Sequence, residues 1–171
     1  MIKRMTFIIS VMSIAMIIAG CTDVALRPGL PDYMSKLAIP VFQNRTPQPD
    51  IENELTRQLQ QDFLVDGRLE LTDPSQANAV LQGTITRYVL EPLLLDVHNI
   101  PQQYKMRIIL NLSLKDTKAG QNLWTEDAFE ESTTYYVNNN LGIPPEDEGA
   151  ARRRLMQQLS RRILSRVIEG F

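Results

Sequence analysis

The chain has 171 residues, with 18 cations, 20 acids and a single histidine, for a formal charge of −2. That mild acidity argues against a general nucleic-acid binder. The single cysteine, Cys21, leaves no internal disulfide, and together with the single histidine it leaves no histidine–cysteine metal cluster.

Residues 1–20 read as a lipoprotein export signal. Lys3 and Arg4 precede an apolar run from Phe7 to Ile18 that is short for a membrane span. The run closes on Ile18-Ala19-Gly20-Cys21, a lipobox whose small residues fit a signal peptidase and whose thiol takes a thioether-linked diacylglycerol. Cleavage makes Cys21 the acylated first residue, and this N-acyl diacylglycerol is the one attached group expected. Each buried methylene adds about 0.8 kcal/mol, so several acyl chains anchor a domain without a spanning helix. Thr22 after the cysteine, in place of aspartate, points to the periplasmic side of the outer membrane. Without Lys3 and Arg4 the chain keeps 16 cations against 20 acids, a formal charge of −4. Residues 21–35 form the lipidated N-terminus and tether, with Pro28, Gly29 and Pro31. Residues 36–171 are the right size for one periplasmic domain.

The first strand is expected over Lys36–Phe42, with Leu37, Ile39 and Val41 on one face and Pro40 at an edge or irregularity. A polar turn, Gln43 to Asp50, leads into a helix with Asp50 as N-cap and Glu52 and Glu54 in its first turn. Ile51, Leu55, Leu59 and Phe63 form its apolar stripe, and Gly67 stops it. A short strand follows over Arg68–Thr72, then a longer one from Ala79 to Leu90, with Leu81, Gly83 and Ile85 on one face and Pro92 ending or kinking it. Tyr104 to Lys115 alternates most cleanly: Tyr104, Met106, Ile108, Leu110, Leu112 and Leu114 face a core. Asp116 to Gly120 turns the chain into a strand over Gln121–Tyr136, whose facing around Trp124 and Phe129 the pattern does not fix. The last helix, from about Ala150 to Glu169, has Leu155, Leu159, Ile163 and Val167 as its deepest stripe. The expected fold is α+β: a small, mostly antiparallel or mixed sheet with two helices on one face, in strand–helix–strands–helix order.

Catalytic signatures are missing. His98 has no neighbouring serine, no glycine-rich phosphate loop occurs, and the Glu126-Asp127 and Glu130-Glu131 carboxylates point to opposite sides of a strand. The chain therefore reads as a non-enzyme, with no metal ligands. Two features suit binding. Arg152, Arg153, Arg154, Arg161, Arg162 and Arg166 make a basic face on the last helix, suited to anionic lipid, to an acidic partner, or simply to solvent along the core edges. The loop Leu93 to Ile100 is more aliphatic than solvent requires, and either inserts into a partner or acyl chains or folds back on the sheet.

The stretch Leu37-Ala38-Ile39-Pro40-Val41-Phe42-Gln43-Asn44-Arg45-Thr46 resembles the LPS-assembly lipoprotein family, LptE. So do Glu54-Leu55-Thr56, Asp66-Gly67-Arg68-Leu69, Ala79-Val80-Leu81-Gln82-Gly83-Thr84-Ile85, Tyr104-Lys105-Met106 and Leu123-Trp124. The resemblance implies an outer-membrane lipoprotein that plugs the LPS-assembly barrel LptD, helps it fold, and assists insertion of lipopolysaccharide into the outer leaflet. Better-characterised members contact LPS phosphates through cations on loops at one end of the sheet. Here Val97-His98-Asn99 and Glu146-Asp147-Glu148 stand in those loops. Arg87, Lys105 and Arg107 remain as candidate LPS or partner contacts, with Leu94 and Leu95 beside them. A lipoprotein activator of a peptidoglycan synthase shares the strand, Asn-x-Thr turn and helix. A tether of about a dozen residues reaches only about 40 Å when extended, which favours a partner in the same membrane.

Overall fold

The computed structural model describes residues 33–138 and 141–169; the export signal, Cys21 and most of the tether lie outside the described residues. The elements run β1 (Lys36–Ala38), β2 (Gln43–Asn44), α1 (Ile51–Asp66), β3 (Glu70–Leu71), β4 (Ala79–Leu95), β5 (Pro101–Asp116), β6 (Asn122–Tyr136) and α2 (Glu148–Glu169). The strands form one mixed sheet in the order β3-β1-β4-β5-β6, with β2 also beside β4. β1 is parallel to β3 and β4, β2 is parallel to β4, and the long strands β4, β5 and β6 are antiparallel. The expected α+β architecture and element order hold.

The single strand expected over Lys36–Phe42 is instead two short ones. The chain leaves the ladder after Ala38, where Pro40 has no amide proton to donate, and rejoins β4 at Gln43. The break shifts the alternation by one residue, so Phe42 is buried and Val41, expected inside, is exposed. Phe42 fills the space beside Gly83, where an added Cβ would lie 2.3 Å from its ring. Glycine is required there for close approach. β3 is likewise shorter than expected.

Asn44 fixes the turn after β2. Its side-chain oxygen accepts from the Thr46 amide and hydroxyl, each at 2.8 Å, and its amide group donates to the Gln48 carbonyl and the Glu52 carboxylate. The turn delivers the chain to α1, whose Ile51, Leu55, Leu59 and Phe63 are fully buried. The expected capping by Asp50 does not occur. Asp50 adopts a left-handed conformation, φ 64°, and its carboxylate accepts from the Asn53 side chain instead of a backbone amide. Gly67 closes the helix as expected, at φ 70°, donating its amide to the Phe63 carbonyl at 3.1 Å.

Two bulges decide which residues face the helices. On β4 the register shifts between Ile85 and Arg87. Before it Leu81, Gly83 and Ile85 face the core; after it Tyr88 and Leu90 do, and Arg87 and Val89 turn to the open face. On β6 a shift opposite Leu110–Leu112, with Ala128 at φ 56°, buries both Trp124 and Phe129 despite their mismatched parity. The core joins these positions to Leu155, Met156, Leu159, Ile163 and Val167 of α2.

β6 forms the long outer edge of the sheet, and α2 guards it. Arg162 Nη1 donates to the Glu130 carbonyl at 2.8 Å and Arg154 Nη2 to the Thr134 carbonyl at 3.0 Å, while the Glu146 amide donates to the Tyr136 carbonyl. Engaged carbonyls make a poor template for a foreign strand.

Candidate functional site at the far end of the hairpin

β4 and β5 pair along almost their whole length, from Ala79↔Asp116 to Leu95↔Pro101. The Asp116 end is polar and tied down: Asp116 Oδ1 accepts from the Lys118 and Ala119 amides, and the Tyr33 hydroxyl donates to its other oxygen. Lys118 lies over the Tyr33 ring at 5.5 Å. The Tyr33 hydroxyl, then the Ala119 amide and, to a smaller extent, that of Lys118, hold the Asp116 carboxyl below the usual aspartate range.

The opposite end is apolar. The expected loop from Leu93 is strand as far as Leu95, with two register shifts beyond Pro92, and only Asp96 to Ile100 is turn. The irregular register leaves Leu93, Leu94 and Leu95 all exposed, with Ile100 exposed and Val97 at 92% of its full area. The segment does not fold back on the sheet. Val137, whose amide donates to the Gln102 carbonyl, is exposed beside it; Leu141 and Ile143, in the connection from β6 to α2, are exposed as well. Eight of the twelve exposed large hydrophobic side chains among the described residues belong to these two connections.

The turn itself is held by hydrogen bonds. Asp96 Oδ1 accepts from the amides of His98 and Ile100, both at 2.8 Å; the Asp96 amide donates to the Ile100 carbonyl; and the Asn99 amide donates to the Asp96 carbonyl. Asn99 takes the left-handed conformation that closes the loop. His98 is exposed, and among the described residues no group of three or more His, Cys, Asp or Glu is placed to hold a metal ion.

Behind the tip, the bulge brings Arg87, Lys105 and Arg107 onto the face without helices. Arg107 is engaged: its guanidinium reaches Glu91 at 2.7 Å and Glu130 at 3.7 Å. Arg87 is exposed and Lys105 half-buried, and neither forms an ion pair within the described residues. Leu94 and Leu95 stand farther out, on the tip. Sequence reasoning therefore nominated residues of one sheet end, but it missed that Glu91 and Glu130 neutralise Arg107. The signal was there in part, because Glu91 precedes Pro92 on the strand that pairs with β5. Further down the same face lies a shallow groove of about 520 Å³ between Gln82, Thr84, Asn111, Ser113, Thr125 and Asp127.

A half-buried junction separates the tip from the core. The Tyr88 hydroxyl donates to Glu148 at 2.7 Å, and Arg152 pairs with Glu54 at 3.0 Å and Glu148 at 3.7 Å, joining β4, α1 and α2. Burial, then the Glu148 carboxylate, raises the Tyr88 phenol well above its ordinary range. The basic face of α2 is largely spent inside the molecule. Arg154 pairs with Glu146, Arg162 with Glu131 and Arg166 with Glu126, while Arg162 and Arg166 also cover the Phe129 and Trp124 rings. Arg153 and Arg161 are exposed.

The fold and this site define a small α+β domain with one exposed, apolar sheet end. No helix among the described residues is long and apolar enough to cross a membrane. The chain belongs to the lipopolysaccharide-assembly family LptE, whose family model matches residues 34–167. Members of that family are envelope-associated lipoproteins. No curated protein matches the chain. Among solved structures it is similar to a minor lipoprotein from Acinetobacter baumannii, at 16% identity and a TM-score of 0.50, covering 78% of this chain and 92% of that one. It is also similar to a PelC dodecamer from Paraburkholderia phytofirmans (14%, TM-score 0.50, 78% and 88% covered) and a hypothetical protein from Chlamydia trachomatis (12%, TM-score 0.54, 78% and 95% covered). At these identities the likeness is one of fold.

Proposed function

We propose that the protein is an outer-membrane lipoprotein, acylated at Cys21, that binds an LptD-type β-barrel, assists its assembly and helps lipopolysaccharide enter the outer leaflet. The observation that carries this reading is the family match over residues 34–167. The architecture supports it, because a rigid sheet with one open face and one apolar end acts by contact and needs no covalent step. Arg87 and Lys105 are the cations on the open face left for phosphate or partner contacts, with Leu94 and Leu95 at the end of the same hairpin.

The test is affinity purification of the C-terminally tagged protein from native membranes in mild detergent, with mass spectrometry of what co-purifies. A large outer-membrane barrel in near-equal amount supports the reading. A peptidoglycan synthase without a barrel moves the protein to the activator class. Cys21→Ser is expected to leave a folded protein that is lost from the outer-membrane fraction; full retention would mean that partner binding alone localises it.

A further inference from the structure

We infer that the groove between α1 and α2 is a binding site for a lipid-borne phosphate group. Arg57, Gln58 and Gln61 line it from α1, Arg153 and Gln157 from α2, and the buried Met156 completes it. Its volume is about 210 Å³. Pockets for whole drug-sized ligands start at roughly 300 Å³, so this one suits a headgroup and not an entire lipid.

Charge separates the groove from the rest of α2. Four of the six arginines on that helix are neutralised: Arg152 by Glu54 and Glu148, Arg154 by Glu146, Arg162 by Glu131 and Arg166 by Glu126. Arg153, and Arg57 brought beside it by the packing of α1 on α2, are exposed and form no ion pair or hydrogen bond within the described residues. Three and four residues away along the helix, Arg153 has Gly149, Ala150, Met156 and Gln157, and Arg57 has Asn53, Glu54, Gln60 and Gln61. Acids at these spacings would stabilise the helices by pairing with the exposed arginines. Only Glu54 is acidic, and Arg152 takes it at 3.0 Å. Two further carboxylates stand close in sequence and both are engaged: Asp62 accepts from the Gln58 side chain and Asp147 from the Ala150 amide, each at 2.9 Å. A chain with more acids than cations thus leaves uncompensated positive charge in a groove.

The walls select the oxyanion. A guanidinium donates in a planar fork that matches phosphate oxygens, and Gln61 and Gln157 add amide donors. The two arginines come from opposite walls, so a ligand held by both must present acceptors in two directions. A tetrahedral phosphate does so, whereas a planar carboxylate directs its two oxygens to one side. The anchor supplies the source. The twelve residues from Cys21 to Tyr33 reach about 40 Å at most, so a domain acylated at Cys21 stays beside a membrane, where lipid phosphate is at high effective concentration. The inference rests on that proposed anchor and not on a barrel partner.

The probe is phosphatidic acid, doped into uncharged dodecyl maltoside micelles that hold the lipidated full-length protein, and binding is read from its phosphorus NMR resonance. Saturable broadening is expected, with none from phosphatidylcholine, whose phosphate is masked by choline. Arg57→Gln with Arg153→Gln should weaken binding about tenfold or more. Arg57→Lys with Arg153→Lys keeps the charge but loses the fork, and should recover only part of the affinity. The control, Arg45→Gln with Lys115→Gln, removes two exposed cations elsewhere and should change nothing. Unchanged circular dichroism shows that the variants are folded. Equal weakening by the two glutamine pairs overturns the inference, as does broadening that never saturates. Saturation by inorganic phosphate alone overturns the lipid source. The anchor is scored separately by outer-membrane fractionation: lost probe binding with the anchor intact strikes the groove, and a missing anchor with binding intact strikes only the source.

Discussion

The two halves of the β4–β5 hairpin are built from the same residue types, in the same two strands and the same antiparallel ladder, yet they meet opposite environments. In the lower half Leu81, Ile85, Leu110 and Leu114 are fully buried under both helices. In the upper half Leu93, Leu94 and Leu95 are exposed. Rise per residue explains the difference. Sixteen residues of α1 cover about 24 Å and twenty-two of α2 about 33 Å, at 1.5 Å per residue. Sixteen residues of β5 run about 50 Å. The hairpin outruns its helices, and the aliphatic side chains beyond them have nothing among the described residues to cover them. The contrast also separates roles: the lower half determines stability, and the upper half is free for contact.

Replacing a lower-half side chain is the hardest test of that division. Leu110 is fully buried in the middle of β5, so Leu110→Ala removes apolar contacts and leaves a cavity. A loss of about 2–5 kcal/mol is expected in urea unfolding, with no change in m-value. A loss below about 1 kcal/mol would mean that burial alone does not make the lower half the stabilising core.

Gly83→Ala comes next, at about 1–3 kcal/mol, because its new Cβ would overlap the Phe42 ring. Phe42→Leu in the same chain should recover part of that cost, and the double-mutant cycle reads the coupling directly. Without such recovery the close approach of β4 to Phe42 would not be what glycine serves.

The Asp116 end is tested by acid. Its folded carboxyl lies below the ordinary range, so the native state binds this proton less tightly than the unfolded chain. The stabilisation is present above the unfolded pKa and is lost as pH falls through the folded one. The urea midpoint should fall on the acid side of the unfolded aspartate range, and Asp116→Asn should flatten that part of the profile. An unchanged slope would place the acid sensitivity elsewhere.

These positions show what the sequence could disclose. Alternation identified β5, and four-residue spacing identified both helix stripes, because each pattern depends only on local geometry. Parity beyond a bulge was not legible: Arg87, Val41 and the Trp124–Phe129 pair all turn on single-residue shifts that alternation does not mark. The N-terminal signal at α1 named Asp50, but the Asn44 network that positions the helix start draws on Gln48 and Glu52 across the turn. The candidate site was half legible. An aliphatic segment at Leu93–Ile100 stood out by composition, whereas its exposure depended on the lengths of helices elsewhere in the chain. The basic face of α2 misled in the other direction, since Glu126, Glu131 and Glu146 become its partners only once β6 and the segment after it lie alongside.

The smallest expected effect makes the comparison sharpest. Leu93→Ser and Leu95→Ser remove as much aliphatic surface as a core truncation does, yet both side chains already stand about half in water, at 55% and 45% exposure. Only about half of their transfer free energy is gained on folding, so each change should cost about 1 kcal/mol, well below the cost of Leu110→Ala. A polar replacement should also lower the tendency of the isolated domain to associate, since an exposed aliphatic cluster is a contact surface in its own right. Sedimentation velocity over a concentration series reads that second effect, and urea unfolding reads the first. If either variant lost stability on the scale of Leu110→Ala, the upper half would be part of the core and the division of the hairpin would fail. With only that small loss of stability and with self-association reduced, the upper half has an aliphatic surface that folding uses only in part.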